Sequence, residues 1–137
     1  MIKYKVLKIL ADILDIKENG IDLDTDLVRN LNVESIDFLE IALSLEREFH
    51  IKVDENKIFL KSFRYYMDKA REKNKDYILQ VAYIKNFYPF LSESRILELI
   101  HDFRTQIMPS IKIKDIISYV QWTLGKSDRK KEKYKKI

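Results

Sequence analysis

The chain has 137 residues with 35% charged and 46% hydrophobic composition, which suits one domain with a core large enough to stand without staples. It has no cysteine and only two histidines, His50 and His101, so disulfides and protein thiolates are excluded and His-based metal or catalytic sites are short of parts. The net charge of +4 hides an asymmetry: residues 1–55 carry −6 and residues 56–137 carry +10, so the two surfaces suit different partners.

Two glycines and two prolines are too few for a fold with many tight turns, so the fold class expected is all-α. Asp12 and Asp15 interrupt the N-terminal apolar run too early for a signal peptide. No stretch is long enough to span a bilayer, and a soluble cytoplasmic protein is expected.

Val6, Ile9, Leu10, Ile13 and Leu14 recur at helical spacing and predict a first helix from about Lys3 to Asp15. Asn19-Gly20 reads as its stop, the glycine suiting a left-handed cap. Ile21 to Asn32 reads as an ordered loop held to the core by Leu23, Leu27, Val28 and Leu31. Its Asp22, Asp24 and Asp26 resemble the start of a calcium loop, but Leu27 and Val33 stand where glycine and glutamate are required. A solvated acidic loop is the expectation there.

A second helix is expected from Ser35 to Phe49, with Ile36, Leu39, Leu43, Leu45 and Phe49 available for a buried face. Glu34, Asp37 and Glu40 complement the positive end of its dipole. Asn32 or Ser35 could cap it, without a capping box, because Phe38 stands three residues after Ser35. A serine at this place is either a cap or a covalent handle.

Asp24-Thr25-Asp26-Leu27, then Leu31-Asn32-Val33-Glu34-Ser35-Ile36-Asp37, Leu39-Glu40 and Leu45-Glu46-Arg47-Glu48-Phe49-His50-Ile51-Lys52-Val53 resemble the acyl carrier proteins. Ile113-Lys114-Asp115-Ile116-Ile117-Ser118-Tyr119-Val120 resembles the last helix of that family. The resemblance covers residues 1–56 and 111–124. It implies an acyl-carrier-like four-helix bundle and makes Ser35 the attachment point of 4′-phosphopantetheine, placed by a phosphopantetheinyl transferase. The arm's thiol would hold an acyl group for fatty acid, lipid or polyketide biosynthesis. Glu34, Ile36, Asp37, Leu39 and Glu40 become the surface met by acyl-transferring or synthase enzymes with basic docking patches. The resemblance makes the chain a carrier and not an enzyme.

The sequence departs from the family pattern in several places. Glu34 replaces Asp, Ile36 replaces Leu, Arg47 lies on a face usually acidic, and Asn32 replaces glycine, as the next best residue for a left-handed turn. The largest departure is some fifty residues, about 56–110, inserted before the last helix. One helix is expected from Asp54-Glu55 through Ile58, Phe59, Phe63, Tyr66 and Met67, ending in the polar run Arg71-Glu72-Lys73-Asn74-Lys75. A second should run from Asp76 through Ile78, Leu79, Ala82, Tyr83 and Phe87, stopping before Pro89. A third should begin at Ser92 as N-cap and continue through Ile96, Leu97, Ile100, Phe103 and Ile107 to Pro109. The bundle is thus enlarged by two or three helices.

The insert holds ten of the sixteen aromatic residues, which can serve as added core, as an enlarged cavity for an unusual acyl chain, or as a docking face for a dedicated enzyme. His101-Asp102, the adjacent His–acid pair, lacks a nucleophile or second ligand and reads as helix surface.

The last helix is expected from Lys112 to Leu124, stopped by Gly125. The chain therefore divides into one domain, 1–125, and a basic tail, 126–137, read as disordered, with weak contact to an anionic membrane as its alternative role and no nucleic acid expected. The second reading of the whole is an unmodified carrier-like helical adaptor that binds a protein or membrane surface.

Overall fold

The computed structural model describes residues 1–105 and 110–135, with side chains described as far as Lys126 in the last helix. Seven α-helices follow one another in the described residues: α1 Ile2–Leu14, α2 Ser35–Phe49, α3 Glu55–Ile58, α4 Phe63–Lys73, α5 Tyr77–Lys85, α6 Glu93–Thr105 and α7 Ile113–Lys135. The described residues form no strand beyond a single antiparallel bridge, Asp26 to Lys112. The architecture is all-α: a bundle of α1, α2, α3 and α7, enlarged by α4, α5 and α6.

In the bundle α1 packs on α2 and α7, and both α2 and α3 meet α7. Val6, Leu10, Ile41, Leu45, Ile58, Ile113, Ile116 and Val120 are buried there. The inserted helices stack as a second layer, α4 on α5 and α5 on α6. Phe63, with no exposed surface, is the centre of that layer: its ring lies 5.2 Å from Phe103 and 5.5 Å from Tyr88. The buried apolar residues of both layers form one continuous cluster.

Several elements differ from the sequence-based expectation. The first helix stops at Leu14, because Asp15 adopts the left-handed conformation at φ 52° and donates its N–H to the Ala11 carbonyl. Aspartate tolerates that region. Asn19-Gly20 instead lies in a separate 3₁₀ turn, Glu18–Gly20. Asn32, by contrast, takes the left-handed turn expected of it before α2, with φ 53°.

The buried face of α2 is also different. Ile41, Ala42, Leu45 and Phe49 face the core, whereas Ile36, Leu39 and Leu43 are exposed. At about 100° per residue the two sets lie on opposite sides of the helix. The helix thus carries two apolar stripes, and the bundle covers one.

The long helix expected from Asp54-Glu55 to the polar run at 71–75 breaks into α3 and α4, because Leu60 sits at φ 54°. Ile78, Leu79 and Leu97, placed in the core by periodicity, are exposed, and Gln80 and Arg95 are buried in their stead. Ser92 caps α6, its hydroxyl accepting the Arg95 N–H at 3.1 Å. Ile107 and Pro109 lie outside the described residues.

The helix α7 does not stop at Gly125 but continues to Lys135. No glycine among the described residues has positive φ. An interior glycine costs a helix roughly 1 kcal/mol, and the Lys, Arg and Glu residues beyond it are good helix formers. The helix thus runs on into 126–135, the residues expected as a basic tail. Membrane contact through its side chains falls outside the described residues.

Candidate functional site

Residues Glu34 to Glu40 open α2 at the end of the ordered loop. Glu34 is the N-cap, and a capping box closes the turn: the Glu34 carboxylate takes the Asp37 N–H while Asp37 Oδ2 accepts the Glu34 N–H at 2.9 Å. The box opens at Glu34, one residue before the serine, and not at Asn32 or Ser35 as the sequence suggests. Glutamate and aspartate at N-cap and N3 reproduce the reciprocal geometry and place negative charge at the positive end of the helix. Asp37→Ala should therefore cost about 1 kcal/mol, read as a lower midpoint in urea unfolding.

Ser35 follows as the first helical residue and is exposed. Its N–H and that of Ile36 belong to the first turn, which has no intrahelical acceptors. Ile36 is 65% exposed and Leu39 48%, and Glu40 is exposed beside them. The structure therefore brings Glu34, Ser35, Ile36, Asp37, Leu39 and Glu40 together on two turns of one helix, as an apolar strip edged with carboxylates.

What holds this helix start in place is a buried polar network absent from the sequence reading. Asp26 is 4% exposed, not solvated as expected of the acidic loop. Its Oδ1 accepts the N–H groups of Val28 and Arg29, both at 3.0 Å, and its Oδ2 accepts the Ser110 hydroxyl at 2.8 Å. Arg95 Nη2 donates to Ser110 Oγ at 3.3 Å, and Arg95 grips Asp115 with both prongs, at 2.8 and 2.9 Å. Asp115 Oδ2 in turn accepts the Lys112 N–H at 3.0 Å.

Loop, insert and last helix are thereby joined through one chain of hydrogen bonds. Backbone pairing reinforces it: Leu27 N–H to the Ile111 carbonyl at 2.8 Å, and Ile113 N–H to the Thr25 carbonyl at 3.1 Å. Burial alone would lower the basicity of the Arg95 guanidinium, but the hydrogen bonds and charge of Asp115 outweigh it and raise its pKa. At the surface the Lys114 ammonium holds the Asp24 carboxyl below its usual value. The signal for Arg95 was a cation on the same helical face as Leu99, in a stripe otherwise apolar.

Beside the helix start lies a mostly apolar cleft of about 400 Å³, lined by Val28, Phe38, Phe59, Leu60, Lys61, Arg64, Phe103 and Ile111. Phe38 and Phe59 meet ring to ring at 4.6 Å. Arg64 lies over the Phe103 ring at 5.0 Å and donates to the Phe103 carbonyl at 3.0 Å. Asp102 pairs with Arg29 at 3.5 Å, while neighbouring His101 is on the surface. Among the described residues no cluster of His, Asp and Glu could hold a metal ion, and no helix is long and apolar enough to cross a membrane.

An exposed serine hydroxyl at a helix N-terminus fits a phosphodiester, which is favoured by free N–H groups and the positive end of the dipole. The family profile described as phosphopantetheine attachment site matches residues 5–62. The chain is 30% identical over 90 residues to an acyl carrier protein of Cyanophora paradoxa, covering 66% of this chain and 81% of that protein. Over 74 residues it is 31% identical to an acyl carrier protein of Buchnera aphidicola subsp. Acyrthosiphon pisum, covering 53% of this chain and 92% of the relative. Over 52 residues it is 40% identical to an acyl carrier protein of Borrelia garinii subsp. bavariensis, covering 38% and 65%. No solved structure matches the chain.

Proposed function

Because this chain belongs to the acyl carrier protein family, a family of carriers rather than enzymes whose cofactor is 4′-phosphopantetheine, we propose that Ser35 is the residue that bears the arm. The observation that carries this is the position of the Ser35 hydroxyl. Of the three serines within residues 5–62, it alone stands exposed in the first turn of a helix; Ser44 lies mid-helix within 3.4 Å of the Arg47 guanidinium, and Ser62 is the half-buried N-cap of α4. When bound, the arm supplies a thiol that holds an acyl group as a thioester.

Attachment would be a phosphoryl substitution. The Ser35 oxygen bonds to the coenzyme A phosphorus nearer the pantetheine, adenosine 3′,5′-bisphosphate leaves, and the hydroxyl proton passes to the transferase. The chain's own part is to present the hydroxyl, free of the capping bonds that Glu34 and Asp37 make, and to offer first-turn N–H groups to the new phosphate.

The strip of Ile36 and Leu39 with Glu34, Asp37 and Glu40 is the proposed contact for the transferase and for synthase or acyl-transferring enzymes that present basic patches. Charge steers such encounters and apolar burial holds them. Fatty acid, lipid or polyketide biosynthesis in the cytoplasm is the proposed setting, with the insert adapting the carrier to an unusual acyl chain or a dedicated enzyme. An unmodified adaptor is the weaker reading, since the matching profile is that of an attachment site.

Intact-mass measurement after co-expression with a broad-specificity phosphopantetheinyl transferase tests the assignment. The chain should gain one phosphopantetheine, Ser44→Ala and Ser62→Ala should gain it too, and Ser35→Ala should gain none. An unmodified native chain, or a modified Ser35→Ala, would sink it.

A further inference from the structure

The helix α5 is apolar nearly all round. Apart from the phenol groups of its tyrosines, only Gln80 and Lys85 among its nine residues are polar. Both are engaged with carbonyls of the chain itself: Gln80, 6% exposed, donates to Asn74 at 2.8 Å, and Lys85 donates to Leu91 at 2.6 Å. Ile78, Leu79 and Ala82, on the side away from Gln80 and Ile84, face solvent instead, Ile78 at 77% exposure and Leu79 at 53%. A helix of this composition is ordinarily buried on every side. Leu97 of α6 is exposed next to them, and an apolar groove of about 210 Å³ runs between the two helices.

The two ends of this groove differ in charge. Arg104 lies over the Tyr77 ring at 5.1 Å, so the end of α6 meets the start of α5. Glu93, the first residue of α6, therefore stands at the other end, about 16 Å along that helix. Lys75 adds a second exposed cation at the Tyr77 end, where the Asp76 carboxylate caps α5 by accepting the Ile78 N–H at 2.8 Å. Among the described residues, Lys75, Glu93 and Arg104 form no ion pair within their own chain.

We propose that two copies of this chain pair through α5, antiparallel about a twofold axis close to Ile78 and Ala82. A twofold axis sets one patch against itself in reverse direction. It therefore covers Ile78, Leu79 and Leu97 and brings each copy's Glu93 to Lys75 and Arg104 of the other. A lipid surface calls for cations all around an apolar face, whereas opposite signs at the two ends suit the chain reversed upon itself. At about 200 Å² for a large side chain, the exposures of Tyr77, Ile78, Leu79 and Leu97 leave roughly 450 Å² of apolar surface on each copy. Two copies bury about 900 Å², near the roughly 1,000 Å² at which specific contacts begin and short of a permanent dimer, so the pairing is reversible. The groove has no residue of α2 or of the loop before it. Both Ser35 hydroxyls stay open in the pair, and the pairing stands apart from the assignment of Ser35.

Sedimentation velocity of the full chain, from about 10 µM to about 1 mM, should show a monomer–dimer equilibrium. Ile78→Lys should raise the dissociation constant at least about tenfold and leave helix content and melting of the monomer unchanged, because that side chain already lies in water. Lys75→Glu and Glu93→Lys should each raise it several-fold, and the two in one chain should restore it, since both reversed charges then meet across the axis. A chain that stays monomeric at the highest concentration overturns the pairing, whether or not it binds vesicles of phosphatidylcholine and phosphatidylglycerol instead. A dimer that Ile78→Lys leaves intact but Leu39→Lys breaks seats the second copy on α2 and overturns it as well. A double charge variant no tighter than either single one overturns the twofold arrangement.

Discussion

Arg95→Leu is expected to lower the unfolding free energy by about 3–5 kcal/mol, the cost of stranding a buried carboxylate. Arg95 and Asp115 are 4% and 1% exposed and joined by two hydrogen bonds. Without the guanidinium, Asp115 keeps one hydrogen bond, from the Lys112 N–H, and no buried cation. Adding Asp115→Asn should recover more than half of the loss, since the amide removes the charge yet keeps an acceptor for Lys112. Urea midpoints of the two variants decide it: a double variant no better than the single one means that lost packing, not the orphaned charge, dominates. The damage should also reach the loop before Ser35, because Ser110 links Arg95 to Asp26.

Phe63→Ala is expected to cost about 3–5 kcal/mol, the range for emptying a fully buried aromatic site. The ring has no exposed surface and touches Phe103 and Tyr88, so α6 and the connection before it both lose a packing partner. Because the buried residues of bundle and insert are one cluster, the variant should still unfold in one step, at lower denaturant, when followed by helix content and by Trp122 fluorescence. Two separated transitions would show instead that the insert folds as a unit of its own.

Much of the outline was legible in the residues. The bounds of α2 follow from its periodicity and charge, Asp76 and Ser92 cap α5 and α6 through side-chain hydrogen bonds to Ile78 and Arg95, and the left-handed turn at Asn32 follows from the tolerance of asparagine. These are local properties, set by a few neighbouring side chains. The place of Ser35 is legible for the same reason, since an exposed serine between two acids at a helix start is a local arrangement.

Periodicity failed where a helix has two apolar stripes or a polar residue on its buried side. It could not tell the stripe of Ile36, Leu39 and Leu43 from that of Ile41, Leu45 and Phe49, because both recur at helical spacing. Nor could it know that Arg95 would find Asp115, 20 residues away, or that Asp26 would find Ser110, 84 residues away.

The amino-acid sequence by itself determined that the chain is all-α, where α2 begins and that Ser35 stands at its opening, because helix period, capping and dipole act within a turn or two. Only the tertiary structure decided which face of α2 is left open, how the insert is fastened to the bundle, and that Phe38 and Phe103 share one cleft. Those outcomes depend on which distant surfaces exclude water together, and no local spacing encodes that.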